Sequence, residues 1–276
     1  MSKKADISIM GCGWLGLPLA EALLNSGKRV KGSTTSPAKL SLLEQKGIQP
    51  YMVDLQTEAT DASTLAGFLE ADVLVLNIPP RLRSDGGSSY LAQLQLLRKA
   101  LLDSPVRKVL FVSSTSVYND LNRIVTEEDD QLTRPGDTGY SLLQAEQLFR
   151  EREEWLTTIV RFAGLAGGDR SPGRFMAGKT EVPNGDAPVN LIHLEDCITI
   201  LKRLIEQEKW GEVYNACSDV HPMRKDFYPA ATLQAGLVPP TFKVMQETSF
   251  KIISSEKLKN ELPYVFRYPD PIQFFS

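Results

Sequence analysis

A chain of 276 residues with 42% apolar positions is long enough to bury a sizeable core and too apolar to stay disordered. Its 31 Lys and Arg against 34 Asp and Glu, a net charge of -3, lack the basic excess that binding a phosphate backbone requires, so no nucleic-acid partner is expected. No apolar run approaches the roughly 20 residues of a membrane span, so no membrane partner is expected either.

The first half alternates short β-branched runs with longer helical patterns. Strands are predicted at about Ile7–Met10, Val30–Ser33, Gln49–Val53, Val73–Asn77, Val109–Ser113 and Thr158–Phe162. Helices are predicted between them at about Leu15–Ser26, Pro37–Lys46, Ala62–Glu70, Ser89–Leu102 and Thr138–Glu154, where apolar residues return at three and four positions. Gly27 and Gly47 end the first two. This alternation is the mark of βαβ units, and six strands predict an α/β fold, a Rossmann-type doubly wound parallel sheet. After Phe162 the texture turns to breakers, Ala163-Gly-Leu-Ala-Gly-Gly-Asp-Arg-Ser-Pro-Gly-Arg174, which puts a boundary between residues 163 and 164. Residues 164–276 are expected to form mainly a smaller C-terminal lobe, with segments returning to the core. That part has predicted helices at about Leu194–Gln207 and Lys225–Ala235 and a strand at Val213–Ala216. The acidic run Glu127-Glu128-Asp129-Asp130 reads as a solvated loop.

Cys12, Cys197 and Cys217 are far apart and odd in number, so neither a disulfide framework nor a metal cluster is expected, and the thiols suit a reducing, cytoplasmic setting. The start, Met1-Ser-Lys-Lys-Ala-Asp, runs into a strand-like segment with no leader-length apolar stretch. His193 and His221, the only histidines, have no second ligand at helical spacing, so no metal is expected.

Gly11-Cys12-Gly13-Trp14-Leu15-Gly16 follows a predicted strand and opens a predicted helix, the context in which G-x-G-x-x-G becomes a dinucleotide fingerprint. Gly11 would make the tight turn, Gly13 would admit the pyrophosphate to the backbone, and Gly16 would let helix and strand pack closely. An NAD site would carry Asp or Glu at the end of the second strand. This chain has Ser33, Thr34, Thr35, Ser36 and Lys39 there, hydroxyls and a cation that would accept a 2′-phosphate, so NADP is favoured over NAD. The alternative is a hydroxyl-rich turn that caps the next helix.

Val109-Leu-Phe-Val-Ser-Ser-Thr-Ser-Val-Tyr118, Thr138-Gly-Tyr140-Ser-Leu-Leu-Gln144 and His193-Leu-Glu-Asp196 resemble the extended short-chain dehydrogenase/reductase superfamily. With the glycine motif they resemble its atypical branch, the NAD-dependent epimerase/dehydratase-like proteins, over nearly the whole chain. The resemblance implies an NAD(P)-binding first part and a substrate-binding lobe. It implies that Ser114 orients a substrate oxygen and that Tyr140 is the acid/base. Asp54 and Leu55 would flank the adenine, and Asn77, Ile78 and Pro79 would line the cofactor. The His-Leu-Glu-Asp stretch matches one that in relatives returns from the substrate lobe to the core.

The chain departs from the family's Tyr-x-x-x-Lys pair at Gln144. A cation about 4 Å from a tyrosine, at an effective dielectric near 20, offers on the order of 4 kcal/mol, or roughly three pKa units at most. Glutamine can hydrogen-bond a ribose but supplies no such field. Arg81, Arg83 and Arg174 are candidate replacements for the cation. Arg170, Arg174 and Lys179, three cations around a Pro-Gly turn, suit a phosphate, nucleotide or carboxylate on the substrate, or are a plain exposed loop.

Two functions compete at this stage. One is an NAD(P)-dependent oxidoreductase or epimerase/dehydratase-like enzyme acting on a polar metabolite such as a sugar or nucleotide-sugar. The other is a catalytically silent NAD(P)-binding sensor or regulatory protein, which the missing lysine favours. Helices beside the sheet could pair two subunits as a homodimer.

Overall fold

The computed structural model describes residues 5–56, 60–79, 88–150 and 152–275. Within them the strands are β1 (Ala5–Met10), β2 (Val30–Thr34), β3 (Gln49–Met52), β4 (Ala71–Leu76), β5 (Lys108–Ser114), β6 (Ile124–Val125), β7 (Leu156–Phe162), β8 (Gly164–Ala166), β9 (Leu191–His193), β10 (Val213–Ala216) and β11 (Ile252–Ile253). The helices are α1 (Gly16–Asn25), α2 (Leu40–Gln45), α3 (Ala62–Leu69), α4 (Ser88–Leu102), α5 (Tyr140–Arg150), α6 (Gly173–Met176), α7 (Leu194–Glu206), α8 (Arg224–Gln234) and α9 (Glu256–Glu261). Seven strands form one sheet in the order β10-β7-β5-β4-β1-β2-β3. The pairs β1–β2, β1–β4, β2–β3 and β4–β5 are parallel. From β1 the chain winds first through β2 and β3 and then, on the other side, through β4 and β5. This is a Rossmann-type α/β fold, whose switch point lies at the C-terminal end of β1.

Two compact units make up the chain. The first runs to Ser113 and takes in Thr138–Val160 and Leu201–Val213. The second comprises Ser114–Asp137, Arg161–Ile200 and the chain from Tyr214 onward.

In the first unit the middle of the sheet is apolar on both faces. Ile7, Ile9, Leu74, Val75, Leu110 and Phe111 are at most 1% exposed, and Leu19 and Leu23 of α1 are fully buried as well. Burying side chains of this size contributes about 1.5–3 kcal/mol each. A buried lysine is one exception to this apolar rule. Lys31 of β2 donates through Nζ to Gly67 O at 2.6 Å and to Glu70 O at 2.8 Å. It thereby serves carbonyls at the C-terminal end of α3, where a cation is favoured.

The helix predicted over Thr138–Glu154 is shorter, and its C-terminal end has a visible cause. The Phe149 carbonyl accepts from Trp155 Nε1 at 3.1 Å and Thr157 Oγ1 at 2.7 Å, so the end of α5 is closed by side chains beyond it. The segment predicted as one helix over Pro37–Lys46 divides into a 3₁₀ turn, Pro37–Lys39, followed by α2.

In the second unit β8 pairs with β9 and β11 with β6, both in parallel. A small apolar cluster of Val189, Leu191, Phe227 and Ala231 receives Tyr228 and Phe274. The acidic run differs from the solvated loop expected of it. It forms a 3₁₀ turn, Glu127–Leu132, capped by Thr126 and Asp129. The Glu127 carboxylate accepts from Asn215 N at 2.7 Å. Asp130 pairs at 2.7 Å with Arg161, whose side chain is fully buried. The guanidinium also donates to Tyr118 Oη at 2.7 Å and to Glu127 O at 3.3 Å. A charge pattern along the sequence does not show that an arginine in a strand will be buried against it.

Removing one partner of a buried pair leaves a desolvated charge, which costs about 3–5 kcal/mol. Asp130→Ala is therefore expected to destabilise the protein by about 3 kcal/mol, the low end of that range because Tyr118 and Glu127 still face the guanidinium. Arg161→Met together with Asp130→Ala is expected to cost less than Asp130→Ala alone. Chemical denaturation of the parent and the two variants checks both statements.

Candidate functional site

The chain leaves β1 through a turn at Gly11 and enters α1 at Gly16. Gly11 has φ +102°, and a Cβ there would lie 2.4 Å from Asn77 O. A Cβ on Gly16 would lie 2.2 Å from Gly11 O. Both glycines are required by the fold itself. Gly13 is different: it is exposed, its φ is not positive, and a Cβ there would meet nothing within 4 Å. The protein's own packing gives no reason for a glycine at that position, whereas a ligand lying against the backbone would.

α1 has no side-chain cap and no acidic residue in its first turn. Among the described residues no acceptor reaches the amides of Gly13 and Leu15. Among the described residues these two amides at the positive end of the helix dipole thus have no protein acceptor, as an anion site requires. Trp14, half-buried, lies within the turn. Cys12 is turned inward: its amide donates to Ser33 O at 2.8 Å, and burial pushes its thiol up to about 12. A Cβ on Gly32 of β2 would stand 2.6 Å from its Sγ.

The end of β2 lies beside this turn. Ser33, 2% exposed, accepts the Gly11 amide on its hydroxyl at 3.0 Å. Thr34 Oγ1 accepts from Ser36 N at 3.1 Å, so part of the hydroxyl-rich segment serves the turn. Thr35 and Lys39 are exposed. From β4, Asn77 donates its amide to Met10 O at 3.0 Å and its Nδ2 to Gly11 O at 3.0 Å. Ile78 is half-buried and Pro79 exposed. After β3, Asp54 accepts from Gln56 N at 2.9 Å and donates its own amide to Thr60 Oγ1 at 2.7 Å, with Leu55 half-buried beside it. The first unit therefore brings Gly11, Ser33 and Asn77 into direct contact.

Tyr140 opens α5, half-buried. Gln144, one turn on, lines an open groove of about 270 Å³ with Leu91, Gln95 and Arg98 of α4 and Gln147, Leu148 and Arg152. The opposite face of α5 is the core face, made of Leu142, Leu143, Ala145, Glu146 and Phe149. Glu146 is fully buried and accepts from Ser113 Oγ at 2.5 Å. At 100° per residue, Gln144 stands about 200° round from Glu146 and Tyr140 within about 40° of Gln144. Sequence reasoning missed Glu146. The available signal was a carboxylate in the apolar stripe 142, 143, 145, 149.

Ser114 belongs to the second unit, at the end of β5. Its hydroxyl accepts from Ser116 N at 3.2 Å and caps the 3₁₀ turn Thr115–Val117. In the same unit Arg170 closes a two-bond bridge with Gly167, while Arg174 lies in α6 and Lys179 follows it. All three cations are exposed. Arg81 and Arg83 lie outside the described residues.

The His-Leu-Glu-Asp stretch holds the C-terminal segment within the second unit. Asp196, fully buried, accepts from Tyr264 Oη at 2.6 Å, Arg267 N at 2.8 Å and Tyr268 N at 3.1 Å. The His193 ring lies 3.9 Å from that of Tyr268 and 5.3 Å from that of Phe274. Its Nδ1 accepts from Glu195 N at 3.3 Å. Burial lowers the pKa of His193, and likewise that of His221, whose Nδ1 lies 3.2 Å from Val189 O.

No protein-family model matches the chain. It is 37% identical to protein YeeZ of Escherichia coli K12 over 275 residues, 96% of this chain and 97% of that protein. Its fold is similar to that of UDP-glucuronic acid 4-epimerase from Bacillus cereus in complex with UDP-glucuronic acid and NAD. That likeness has a TM-score of 0.76 at 21% identity and covers 98% of this chain and 97% of the other. A short-chain dehydrogenase/reductase superfamily protein from Agrobacterium tumefaciens with bound NAD matches with a TM-score of 0.75 at 18% identity, over 98% of this chain and 94% of that one.

Both histidines bind protons less well folded than unfolded, so the unfolded chain takes up more protons as the pH falls. Their contribution is fully present above the unfolded value of about 6.5 and is lost as the pH falls through the lower folded values. The unfolding free energy is expected to drop between about pH 7.5 and pH 5.5. His193→Asn with His221→Asn should flatten that interval, which urea titration at a series of pH values measures.

Proposed function

The chain belongs to the family of protein YeeZ and has the fold of the extended short-chain dehydrogenase/reductases, and from that premise we propose that it binds a nicotinamide dinucleotide, NADP in preference to NAD. We further propose that it acts as an oxidoreductase or epimerase/dehydratase-like enzyme on a polar metabolite of the nucleotide-sugar class. The observation that carries this reading is the start of α1, where among the described residues no acceptor reaches the Gly13 and Leu15 amides and a Cβ on Gly13 would meet nothing within 4 Å.

Those amides would hold the pyrophosphate, as helix starts do for phosphates. Asp54 and Leu55 are assigned to the adenine end and the stretch Asn77-Ile78-Pro79 to the opposite side of the cofactor, with Ile78 and Pro79 as its contacts and the Asn77 side-chain amide turned to Gly11 O. Thr35 and Lys39, exposed at the end of β2, are free to meet a 2′-phosphate, and the lack of a carboxylate in that stretch supports NADP. The bound dinucleotide would supply hydride transfer. On the protein's side, Ser114 is assigned to hold the reacting oxygen and Tyr140 to exchange its proton, help typically worth 10²–10⁴-fold. Arg170, Arg174 and Lys179 are assigned to the substrate's phosphates, a role their exposure permits.

A specific observation favours a second reading, a dinucleotide-binding protein without that proton transfer. Gln144 stands in the groove beside α4, and the face of α5 opposite it is held against the core by Glu146. The two readings separate on hydride exchange between NADPH and a panel of nucleotide-sugars and small carbonyl compounds. Turnover that is lost in Tyr140→Phe supports the enzyme. No turnover, with cofactor affinity unchanged in Tyr140→Phe, supports the binding protein.

Two glycine variants test the cradle itself. Gly13→Ala should leave stability within about 1 kcal/mol of the parent, because no neighbour is displaced, and should lower NADP affinity by at least about tenfold, roughly 1.4 kcal/mol. Gly11→Ala should lower stability by about 3 kcal/mol or more, since φ is positive and the added carbon meets a carbonyl. Calorimetric titration with NADP and NAD, alongside denaturation, reads both; a Gly13→Ala protein that binds as the parent does would remove the pyrophosphate from this turn.

A further inference from the structure

Two consecutive peptide units at the end of β1, Met10–Gly11 and Gly11–Cys12, expose four polar groups, and each has a partner in the first unit. The Gly11 amide goes to Ser33 Oγ at 3.0 Å and the Cys12 amide to Ser33 O at 2.8 Å. The Met10 carbonyl takes Asn77 N at 3.0 Å and the Gly11 carbonyl takes Asn77 Nδ2 at 3.0 Å. One residue from each strand flanking β1 thus closes on the same two peptides, each with one main-chain and one side-chain bond. Both N–H groups of those peptides are committed, and among the described residues the first amide without a protein acceptor is that of Gly13.

We propose that Ser33 and Asn77 are positioning residues for the dinucleotide: they clasp the first glycine from both sides and so aim the Gly13 and Leu15 amides. This rests on the dinucleotide reading above. It differs from a direct cofactor contact in one measurable respect. A clasp acts on the pyrophosphate, which NAD and NADP share, so losing it weakens both by the same factor. A residue that touches the 2′-phosphate weakens NADP only. Ser33 has a geometric reason to act through the clasp: its hydroxyl is 2% exposed and already accepts the Gly11 amide, which leaves it one proton to donate. Among the described residues the exposed neighbours Thr35 and Lys39 have no such engagement through their side chains.

The experiment is calorimetric titration of the full chain with NADP and with NAD, in the parent and in Ser33→Ala, Ser33→Thr, Asn77→Ala and Lys39→Ala, with amide hydrogen exchange at Gly11 and Cys12. Expected are losses of about tenfold for both dinucleotides in Ser33→Ala and Asn77→Ala, the size of one hydrogen bond to a shared element, with the ratio of the two affinities kept within about twofold. Ser33→Thr, which keeps the hydroxyl, should restore binding, and Lys39→Ala should weaken NADP alone. Exchange of the Gly11 amide should quicken in Ser33→Ala, while the Cys12 amide, held by the main-chain oxygen of residue 33, stays protected. Should Ser33→Ala fail to fold, Ser33→Cys, with nearly the same volume and a weaker acceptor, makes the same comparison. If the folded variants bind both dinucleotides as the parent does, the clasp has no role and the dinucleotide reading stands. A loss confined to NADP in Ser33→Ala would make Ser33 a 2′-phosphate ligand and overturn its positioning role. A parent chain that binds neither dinucleotide overturns the dinucleotide reading, and the clasp with it.

Discussion

Everything in the first unit turns on how one strand ends. A parallel sheet leaves the C-terminal edges of its strands side by side, and at β1 two neighbours meet across the same turn. Ser33 and Asn77 satisfy both peptides that flank Gly11, so the backbone can bend sharply there without burying an unpaired polar group. Because those four bonds are internal, the turn's two N–H groups are committed, and the amides of Gly13 and Leu15 at the start of α1 come next. The turn's rigidity and the helix's open end are therefore one feature, since the same bonds that hold the bend leave Gly13 and Leu15 as amides that no acceptor among the described residues reaches.

Much of this was legible in the sequence, for reasons that can be named. β1, β4 and β5 carry short apolar runs, and a strand buried on both faces can be written in few other ways. The glycines at 11, 13 and 16 carry the turn in their spacing. What the spacing does not carry is that they are glycines for different reasons. Gly11 and Gly16 are crowded by backbone atoms, whereas Gly13 is crowded by nothing the protein itself supplies. Likewise Ser33 stood out only as one hydroxyl among several. That it faces the Gly11 amide depends on the register of β1 with β2, Ile9 opposite Gly32, which is a pairing between segments and not a property of either. The short pairings β6–β11 and β8–β9 were missed for the same reason: strands of two and three residues have too little alternation to announce themselves.

Buried charge was the least legible feature. Arg161 lies in a strand whose neighbours are all buried, and Glu146 lies in a helix stripe that is otherwise apolar. Read by composition, both are solvent residues. Each is tolerated because a partner is already placed, Asp130 with Tyr118 for the arginine and Ser113 for the glutamate. A buried ionised group is held only by partners with good geometry, so it tells more about the fold's register than a buried leucine does. In α5 that register has a chemical consequence, because it decides which residues of the helix can face anything outside the core.

The electrostatics around α5 bear on what chemistry the helix could support. A tyrosine that gives up its proton near neutrality needs a cation close by. Along the helix the charge placed in the core is a carboxylate, and its effect is visible on Tyr90, whose phenol is pushed up by burial first and by Glu146 second. Gln144 brings no charge to the opposite face. The cations on the side of Gln144 are Arg98 of α4 and Arg152, which line the same groove. Positive charge therefore reaches this face of α5 by the packing of a neighbouring helix and the segment that follows, and not from a residue one turn along the same helix.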